Sequence, residues 1–326
     1  MKLLVTGGAG YIGSVVASHV LRAGHEVVVL DNLERGHREA VPDAARLVVA
    51  DLRDRDRVFD ALEERFDGVL HFAALALVAE SVEHPELYYR TNVGGSLNLL
   101  EAMVAASVTR LVFSSTCAVY GEPESIPISE TAVPAPVNPY GASKLAVDRM
   151  IADFCLAHGL GGVSLRYFNV AGASGELGED HEPETHLIPH ILRVALKIEP
   201  ELEIFGTDYP TPDGTAIRDY IHIDDLATAH LLAISAARPG EHRVFNLGNG
   251  SGFSVREVVA AAEAVTGTSI PVHEAERRAG DPPALVAASD RIRGELGWEP
   301  AKPALDQILA DAWEFARAHP QGYARV

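Results

Sequence analysis

The chain has little cysteine and little positive charge. Only two of its 326 residues are cysteines, Cys117 and Cys155, which favours the reducing cytoplasm over a disulfide-forming compartment. Lysine and arginine number 27 against 46 aspartates and glutamates, giving a formal charge of −19. This excess of acid excludes a broad surface for nucleic acid or anionic membrane, because either needs clustered cations to neutralise phosphates. A small anionic ligand would need only a few local arginines.

Long hydrophobic runs are also missing. The longest near-apolar stretch, residues 69–79, is too short to span a bilayer and contains a histidine. The first residues lack the basic start and small-residue cleavage site of a signal peptide. We therefore expect a cytoplasmic protein with no membrane partner.

What the chain does have is a regular alternation of apolar runs and amphipathic stretches. Runs rich in Val, Ile and Leu predict strands at residues 2–6, 26–30, 46–50, 68–72, 111–114 and 163–167. Helical patterns fill the intervals, as expected for a doubly wound, parallel, Rossmann-like α/β sheet. Ligands of such sheets bind at the carboxyl ends of the strands.

The pattern loosens after residue 171, where glycine, proline and acid cluster. We expect a smaller, loop-rich α/β domain there. One later apolar run, residues 243–249, has strand character and is expected to return to the main sheet. The predicted division is therefore 1–170, with 218–248 returning, for a cofactor domain, and 171–217 with 249–326 for a substrate domain.

Three glycines at a spacing of three, Gly7, Gly10 and Gly13, follow the first strand. Glycines at that place let the backbone approach a pyrophosphate at a helix start, although alone they fit a tight turn equally well. The second strand runs into Asp31, an acid suited to ribose hydroxyls and repulsive to a 2′-phosphate. Asp51, at the end of the third strand, lies where an adenine edge would be met. Together they predict NAD binding rather than NADP binding.

A candidate catalytic group follows in the sequence NPYGASK, which places Tyr140 and Lys144 one helical turn apart. An ammonium near a phenol favours the phenolate, so we expect the pKa of Tyr140 to be lowered and the residue to act as a general base. Thr116 leaves a strand at the same edge of the sheet. In most proteins a tyrosine and a lysine at this spacing lie on the surface without a function. In a chain that also carries a complete NAD-binding signature, the pair indicates catalysis.

These stretches resemble the extended short-chain dehydrogenase/reductase superfamily and, within it, the UDP-glucose (UDP-galactose) 4-epimerase family. The similarity covers nearly the whole chain. The matching segments in the substrate region indicate the subfamily. The glycines and the Tyr-x-x-x-Lys pair, by contrast, indicate only the superfamily. The matching segments are VTGGAGYIG, DNL, HFAA, TNVGGSLNLLEAM, FSSTCAVYGE, NPYGASK, LRYFNVAGA, IFGTDYPTPDGTAIRDYIHIDDLA and RRAGDP.

The resemblance implies an NAD-dependent isomerase. Tyr140 would take the proton of the sugar 4-hydroxyl, assisted by Thr116 and Lys144, and a transient 4-keto sugar would be reduced on its opposite face. The residues expected around NAD are Gly7, Gly10, Tyr11, Ile12, Gly13, Asp31, Asn32, Asp51, Leu52, Phe72, Ala73, Ala74, Asn92, Ser114, Tyr140, Lys144 and Tyr167. Those expected at the UDP-sugar are Thr116, Tyr140, Asn169, His186, Leu187, Phe205, Arg218, Arg278 and Asp281.

The two arginines suit a diphosphate because guanidinium groups make charge-assisted hydrogen bonds to phosphate oxygens. Read without the family, Arg218 beside Asp219 equally fits a surface ion pair, and the pair Arg277–Arg278 a solvated loop.

Three positions depart from the family pattern. Ala76 replaces a lysine near the cofactor, which predicts weaker NAD retention. His186 replaces an asparagine and would bond the diphosphate or cap the following helix. Leu285 stands where a tyrosine restricts some members to glucose and galactose, so we expect N-acetylhexosamines to enter.

No metal site is expected. The segment HEPETH offers His181 and His186 with acids between them, but Pro183 interrupts a helical ligand face, and a solvated loop is the favoured interpretation. Cys117 lacks an evident histidine partner and is interpreted as a packed small residue.

Other functions stay open. A 4,6-dehydratase is disfavoured because Cys117 and Ala118, not acids, follow Thr116. A nucleotide-sugar decarboxylase, an epimerase acting at another hydroxyl and a non-catalytic NAD sensor are the remaining alternatives. A homodimer through residues 87–106 and 140–158 is implied by the resemblance.

Overall fold

A computed structural model of the chain describes residues 1–278 and 281–323. Within that range the strands are β1 (Lys2–Thr6), β2 (Glu26–Asp31), β3 (Arg46–Val49), β4 (Gly68–His71), β5 (Arg110–Thr116), β6 (Gly161–Tyr167), β7 (Asn169–Ala171), β8 (Leu202–Phe205), β9 (Ile217–His222), β10 (His242–Leu247), β11 (Gly252–Ser254), β12 (Val272–Ala275) and β13 (Ala284–Leu285).

The helices lie mainly between these strands. They are α1 (Tyr11–Arg22), α2 (Arg55–Leu62), α3 (Val78–Glu83), α4 (Pro85–Tyr88), α5 (Gly95–Ala105), α6 (Pro139–His158), α7 (Leu187–Ala195), α8 (Ile223–Ala236), α9 (Val255–Thr266), α10 (Asp290–Leu296) and α11 (Leu305–Ala318). None of the helices in the described ranges is both long enough and apolar enough to cross a membrane.

Seven strands form one parallel sheet in the order β10-β6-β5-β4-β1-β2-β3. Successive residues of β1 face opposite sides: Leu3 and Val5 pack with α1 and α8, and Leu4 packs with α2, α5 and α6. A sheet buried on both faces explains why its strands are continuous apolar runs. The predicted doubly wound α/β class is confirmed, and each predicted strand of this sheet matches within two residues at either end.

The strands of the two smaller sheets all come from the part of the chain after residue 168. β9 is the centre of a four-stranded sheet with β7, β11 and β13, and β8 pairs with β12. Their apolar core comes from α7, α9 and α11. Residues 243–249 were expected to return to the large sheet, and β10 does so. β9, within the same expected segment 218–248, does not, because its edges pair with the short strands around it. The proposed domain boundaries stay a prediction.

Two buried histidines make stability depend on pH. Burial lowers the pKa of His71 to about 3 and that of His230 to about 4. In the unfolded chain a histidine has a pKa of about 6.5, so between about pH 6.5 and these values the unfolded state binds more protons. The stabilisation is complete above about pH 6.5 and is lost as the pH falls towards about 4.

We expect the free energy of unfolding to fall by about 1–2 kcal/mol per histidine between about pH 6.5 and about pH 5. Urea titrations across this range measure it. The His230→Leu substitution should flatten the dependence, and substituting the exposed His273 should leave it unchanged. An equal acid slope in the His230→Leu protein would contradict this assignment.

Candidate active site

The glycine turn after β1 is packed so closely that side chains are excluded from it. Gly7 has a φ of +70°, and a Cβ there would lie 2.5 Å from the Ala73 nitrogen. A Cβ at Gly13 would lie 2.2 Å from the Gly7 carbonyl oxygen. At Gly10 the nearest atom would be 3.5 Å away, so this glycine borders open space. The turn therefore serves close strand–helix packing at two glycines and leaves room for a ligand at the third.

The start of α1 faces that open space. Gly10 is its N-cap residue; in the described chain no side chain caps this end, and its first turn contains no acid. The free N–H groups at residues such as Tyr11 and Ile12, with the helix dipole, attract an anion. This arrangement fits the pyrophosphate of a dinucleotide.

An acidic corner closes the same edge at the ends of β2 and β3. Asp31 is 7% exposed and accepts hydrogen bonds from the main-chain nitrogens of Ala9 at 3.0 Å and Leu33 at 2.8 Å. Burial raises the pKa of Asp31, and these two bonds oppose that rise. Asn32 donates to Asp51 at 2.9 Å, and a hydrogen bond from Arg53 lowers the pKa of Asp51 to about 2. Carboxylates here suit ribose hydroxyls and oppose a 2′-phosphate, so the corner fits NAD.

Asn92 secures the loop that follows β4, the loop carrying Phe72, Ala73 and Ala74. Its amide accepts from Leu75 N at 2.8 Å and donates to Leu75 O and to Ser143 Oγ, both at 3.0 Å. Asn92 was expected among the residues surrounding NAD. Because its amide bonds protein groups on α6 and on the loop, we assign it a positioning role.

Two further positions discussed for the cofactor site, Leu52 and Ala76, differ in their exposure to solvent. The side chain of Leu52 is 6% exposed and belongs to the core between α2 and α5. Ala76, where a lysine was expected from the family, is exposed in the loop after β4.

The candidate catalytic side chains converge at the ends of β5 and α6. Asn138 caps α6 by accepting from Gly141 N at 2.8 Å, which places Tyr140 in the first turn of the helix. The Thr116 hydroxyl acts on the Tyr140 phenol by favouring its ionised form, which lowers the pKa of Tyr140 against burial. Lys144, one turn along, donates from Nζ to the Ser114 carbonyl at 2.8 Å, and Tyr167 donates to the Ser114 hydroxyl. The sequence-predicted group is thus assembled.

The expected lowering of the Tyr140 pKa is wrong for the protein alone. Burial raises it to about 12, outweighing the opposing effect of the Thr116 hydrogen bond. Burial likewise lowers the pKa of Lys144 to about 7, so its ammonium is only partly charged at neutral pH. Desolvation disfavours the charged form of each group, and in this site it exceeds the opposing effects of Thr116 on Tyr140 and of Asp148 on Lys144.

A buried polar network behind α6 was missed by the sequence analysis. Asp148, one turn after Lys144, accepts from Arg166 at 2.8 Å and from Ser115 at 3.2 Å. Arg166 also donates to Tyr120 at 3.1 Å. The charge of Asp148 raises the pKa of Lys144 and so opposes the larger effect of burial. The available signal was an aspartate on the apolar face of α6.

The expected diphosphate arginines lie on separate elements. Arg218 on β9 pairs with Asp281, whereas its neighbour Asp219 is buried and accepts from three main-chain nitrogens. The guanidinium of Arg278 stacks over the Phe205 ring at 4.0 Å. The surface ion pair between Arg218 and Asp219 is therefore not formed.

The remaining expected residues lie on β7, α7 and β13. Asn169 begins β7, and Leu187 begins α7. Leu285 pairs in register with Arg218 and packs against the apolar cluster that contains Cys117. Cys117 is buried, which raises its pKa to about 12, so the interpretation as a packed thiol is confirmed.

His186 precedes α7 as its N-cap residue, but its side chain does not cap the helix in the described structure. Its Nδ1 lies 2.9 Å from both Glu179 and Glu184. These glutamates are only 10% and 8% exposed. Four residues of the segment are exposed, as expected of a solvated loop, namely Glu182, Pro183, Thr185 and His186, whereas Glu179 and Glu184 are turned inward against the histidines.

The geometry defines a dinucleotide-dependent enzyme with a tyrosine–threonine–lysine group at the carboxyl edge of a Rossmann-type sheet. Residues 3–248 match the NAD dependent epimerase/dehydratase family. The chain belongs to this family, as the sequence motifs predict.

Full-length relatives agree. The chain is 56% identical over 324 residues to UDP-glucose 4-epimerase of Streptomyces lividans, covering 99% of this chain and 98% of that protein. It is 54% identical over 319 residues to the UDP-glucose 4-epimerase of Corynebacterium glutamicum, covering 98% and 96%. The predicted resemblance to UDP-glucose 4-epimerases is confirmed.

Solved structures show the same fold. UDP-glucose 4-epimerase from Brucella ovis in complex with NAD superposes with a TM-score of 0.92 at 46% identity, covering 96% of this chain and 98% of that one. The enzyme from Bifidobacterium longum in complex with NAD⁺ and UDP gives 0.94 at 35% identity, covering 99% and 100%.

Proposed function

We propose that the chain is an NAD-dependent UDP-glucose 4-epimerase, interconverting UDP-glucose and UDP-galactose in the galactose metabolism of the cytoplasm. The observation that carries the proposal is the gathering of Tyr140, Lys144 and Thr116 at the end of β5 and the start of α6. It occurs in a chain more than half identical over its length to proteins of that activity.

When bound, NAD supplies a reversible hydride acceptor for carbon 4 of the sugar. Tyr140 takes the proton of the 4-hydroxyl and later returns it, and Thr116 holds the same oxygen by a hydrogen bond. With a pKa of about 12, the phenol is a weak base at neutral pH in the protein alone. Tyr140 and Thr116 would face the nicotinamide end of bound NAD, and a positive charge near the phenol would favour its phenolate form.

Arg218 and Arg278 would hold the diphosphate, with the Phe205 ring fixing the plane of the Arg278 guanidinium. Arg218 would exchange its pairing with Asp281 for phosphate oxygens. The cofactor side would be formed by the glycine turn, the acidic corner and the loop after β4. The contacts proposed for NAD lie in the predicted cofactor domain. The contacts proposed for the diphosphate are assigned mainly to the predicted substrate domain.

The direct test is an assay of the purified chain with UDP-galactose, following UDP-glucose by proton NMR. We expect conversion to an equilibrium mixture from either sugar, with no net reduction of NAD. Loss of water from the sugar, or stoichiometric accumulation of NADH, would instead indicate a dehydratase or a dehydrogenase.

Leu285 carries a prediction about substrate size. It is half-buried beside Arg218 and shorter than the tyrosine found in restricted members. We expect measurable epimerisation of UDP-N-acetylglucosamine, and we expect Leu285→Tyr to lower its kcat/KM by about tenfold or more relative to UDP-glucose. Competition assays with both substrates measure the ratio. An unchanged ratio would remove Leu285 from the specificity determinants.

We also propose a homodimer through α5, α6 and the turn before α5. Apolar side chains on these elements are unusually exposed, with Leu97 at 38%, Tyr89 at 47% and Leu156 at 81%. Sedimentation should give a dimer, and Leu156→Glu should weaken it. Val133→Glu, at a site 82% exposed and away from these helices, is the matched control. A monomeric wild-type chain at micromolar concentration would contradict the proposal.

A further inference from the structure

The loop between β7 and α7 gathers four potential metal ligands at one point. Donor atoms of Glu179, His181, Glu184 and His186, here called the loop cluster, all lie within 4.8 Å of one another. Nδ1 of His186 is 2.9 Å from each carboxylate, and Nδ1 of His181 is 3.2 Å from Glu179 and 3.8 Å from Glu184. Both imidazole rings thus direct the same nitrogen into the gap between the two acids.

The two carboxylates are buried together. Their side chains are 10% and 8% exposed, and within the described residues the two histidines are the only ion-pair partners of both. Nδ1 of His181 is itself buried and, in that part of the chain, lacks a hydrogen bond of good geometry. Two buried carboxylates repel each other and require a compensating cation. The loop cluster therefore has the charge and the free donor atom that a metal ion would use.

We propose that the loop cluster binds one divalent transition-metal ion, best matched by Zn²⁺, in the loop between β7 and α7. Zinc takes imidazole and carboxylate ligands in tetrahedral geometry at about 2.0–2.1 Å, which places donor atoms about 3.3–3.4 Å apart. The four nitrogen–oxygen distances of 2.9, 2.9, 3.2 and 3.8 Å bracket that value. Two carboxylates with two neutral imidazoles also balance the charge of the ion.

The surroundings hold the ligands in place. Glu184 accepts from the main-chain nitrogens of Thr185 at 2.6 Å and His186 at 2.7 Å, which orients its carboxylate. Arg35, from the loop after β2, donates to the Glu182 carbonyl at 3.0 Å. A cavity against the loop cluster, lined by Glu179, His181, Glu184 and His319 among others, gives an ion a path of entry.

Bound metal would fix the segment leading into α7. His186 is both a ligand and the N-cap residue of this helix, which begins at Leu187. Imidazole binds a metal ion in its neutral form, so metal binding releases any proton that the ring carries. The inference stands on these contacts and does not depend on the proposed epimerase activity.

Calorimetric titration of the chelator-treated, NAD-loaded chain with Zn²⁺ alone tests the site. We expect about one ion bound per chain, with a heat that varies with the ionisation enthalpy of the buffer because a proton is released. Titration with Co²⁺ should give the intense visible bands of a tetrahedral ion. Absence of zinc binding, or a cobalt spectrum of octahedral type, would overturn the proposal.

Two substitutions locate the ion. His181→Ala should weaken zinc binding by at least about 100-fold, since removing even a supporting partner of a ligand costs about 10–100-fold. His84→Ala is the matched control, because His84 also faces a glutamate, Glu86 at 3.7 Å, but outside the loop cluster. Circular dichroism confirms folding of each variant, and anomalous scattering at the zinc edge locates the ion should His181→Ala not fold. Equal affinity in both variants, or an anomalous peak elsewhere, would overturn the assignment.

Discussion

Replacing Tyr140 with phenylalanine is expected to lower kcat by about 10²–10⁴-fold, the usual contribution of a general base. The hydroxyl is the one group that this change removes, and its pKa is affected by the Thr116 hydroxyl at the end of β5. The ring keeps its edge-on contact with Tyr88, at 6.4 Å between centroids, so packing is maintained. Initial rates with UDP-galactose, together with NAD binding measured by calorimetry, separate loss of chemistry from loss of cofactor.

Tyr88→Phe is the matched control for this experiment. Tyr88 lies against the same ring but donates its hydroxyl to the Leu77 carbonyl and to Glu80. Its loss should cost stability, by about 1 kcal/mol for each bond, and leave kcat within a few-fold of the original. Full turnover by the Tyr140→Phe protein would exclude the phenol as the base.

The large sheet could be predicted because its strands are buried on both faces. Runs such as Leu3–Leu4–Val5 have to be apolar throughout, and this is the strongest signal that a short segment can carry. The small sheets lack it. β8 and β12 have four residues each, β13 has two, and only part of each faces a core. Such strands are specified by their neighbours in space, which a local pattern does not encode.

The candidate site divides in a similar way. Tyr140 and Lys144 were identifiable because a helix turns their spacing of four into proximity. The direction of the Tyr140 pKa was not, because it depends on how completely the folded chain removes water from both groups. The protein contacts of Asn92 and of the loop cluster could not be predicted for a related reason. The partners of Asn92 lie on another helix and loop, and the inward turn of Glu179 follows from the path of its loop.

The three glycines of the turn after β1 differ in how closely they are packed, and this difference predicts a large effect of one substitution on NAD binding. Gly7 and Gly13 are required by the fold itself, because a methyl group at either would overlap backbone atoms at 2.5 Å and 2.2 Å. Substituting them would confuse misfolding with loss of cofactor. Gly10 is different, since its Cβ would meet nothing closer than 3.5 Å. The folded chain tolerates a methyl group there, and the proposed pyrophosphate does not.

Gly10→Ala is therefore expected to leave the free energy of unfolding within about 1 kcal/mol of the original and to weaken NAD binding by about 10²–10⁴-fold. That range corresponds to the loss of two charge-assisted hydrogen bonds of about 1.5–3 kcal/mol each at the start of α1. Urea unfolding and calorimetric titration with NAD measure the two quantities independently. Gly294→Ala is the control, because Gly294 also borders open space but lies on α10. NAD affinity reduced equally by both substitutions, or by neither, would show that Gly10 does not face the dinucleotide.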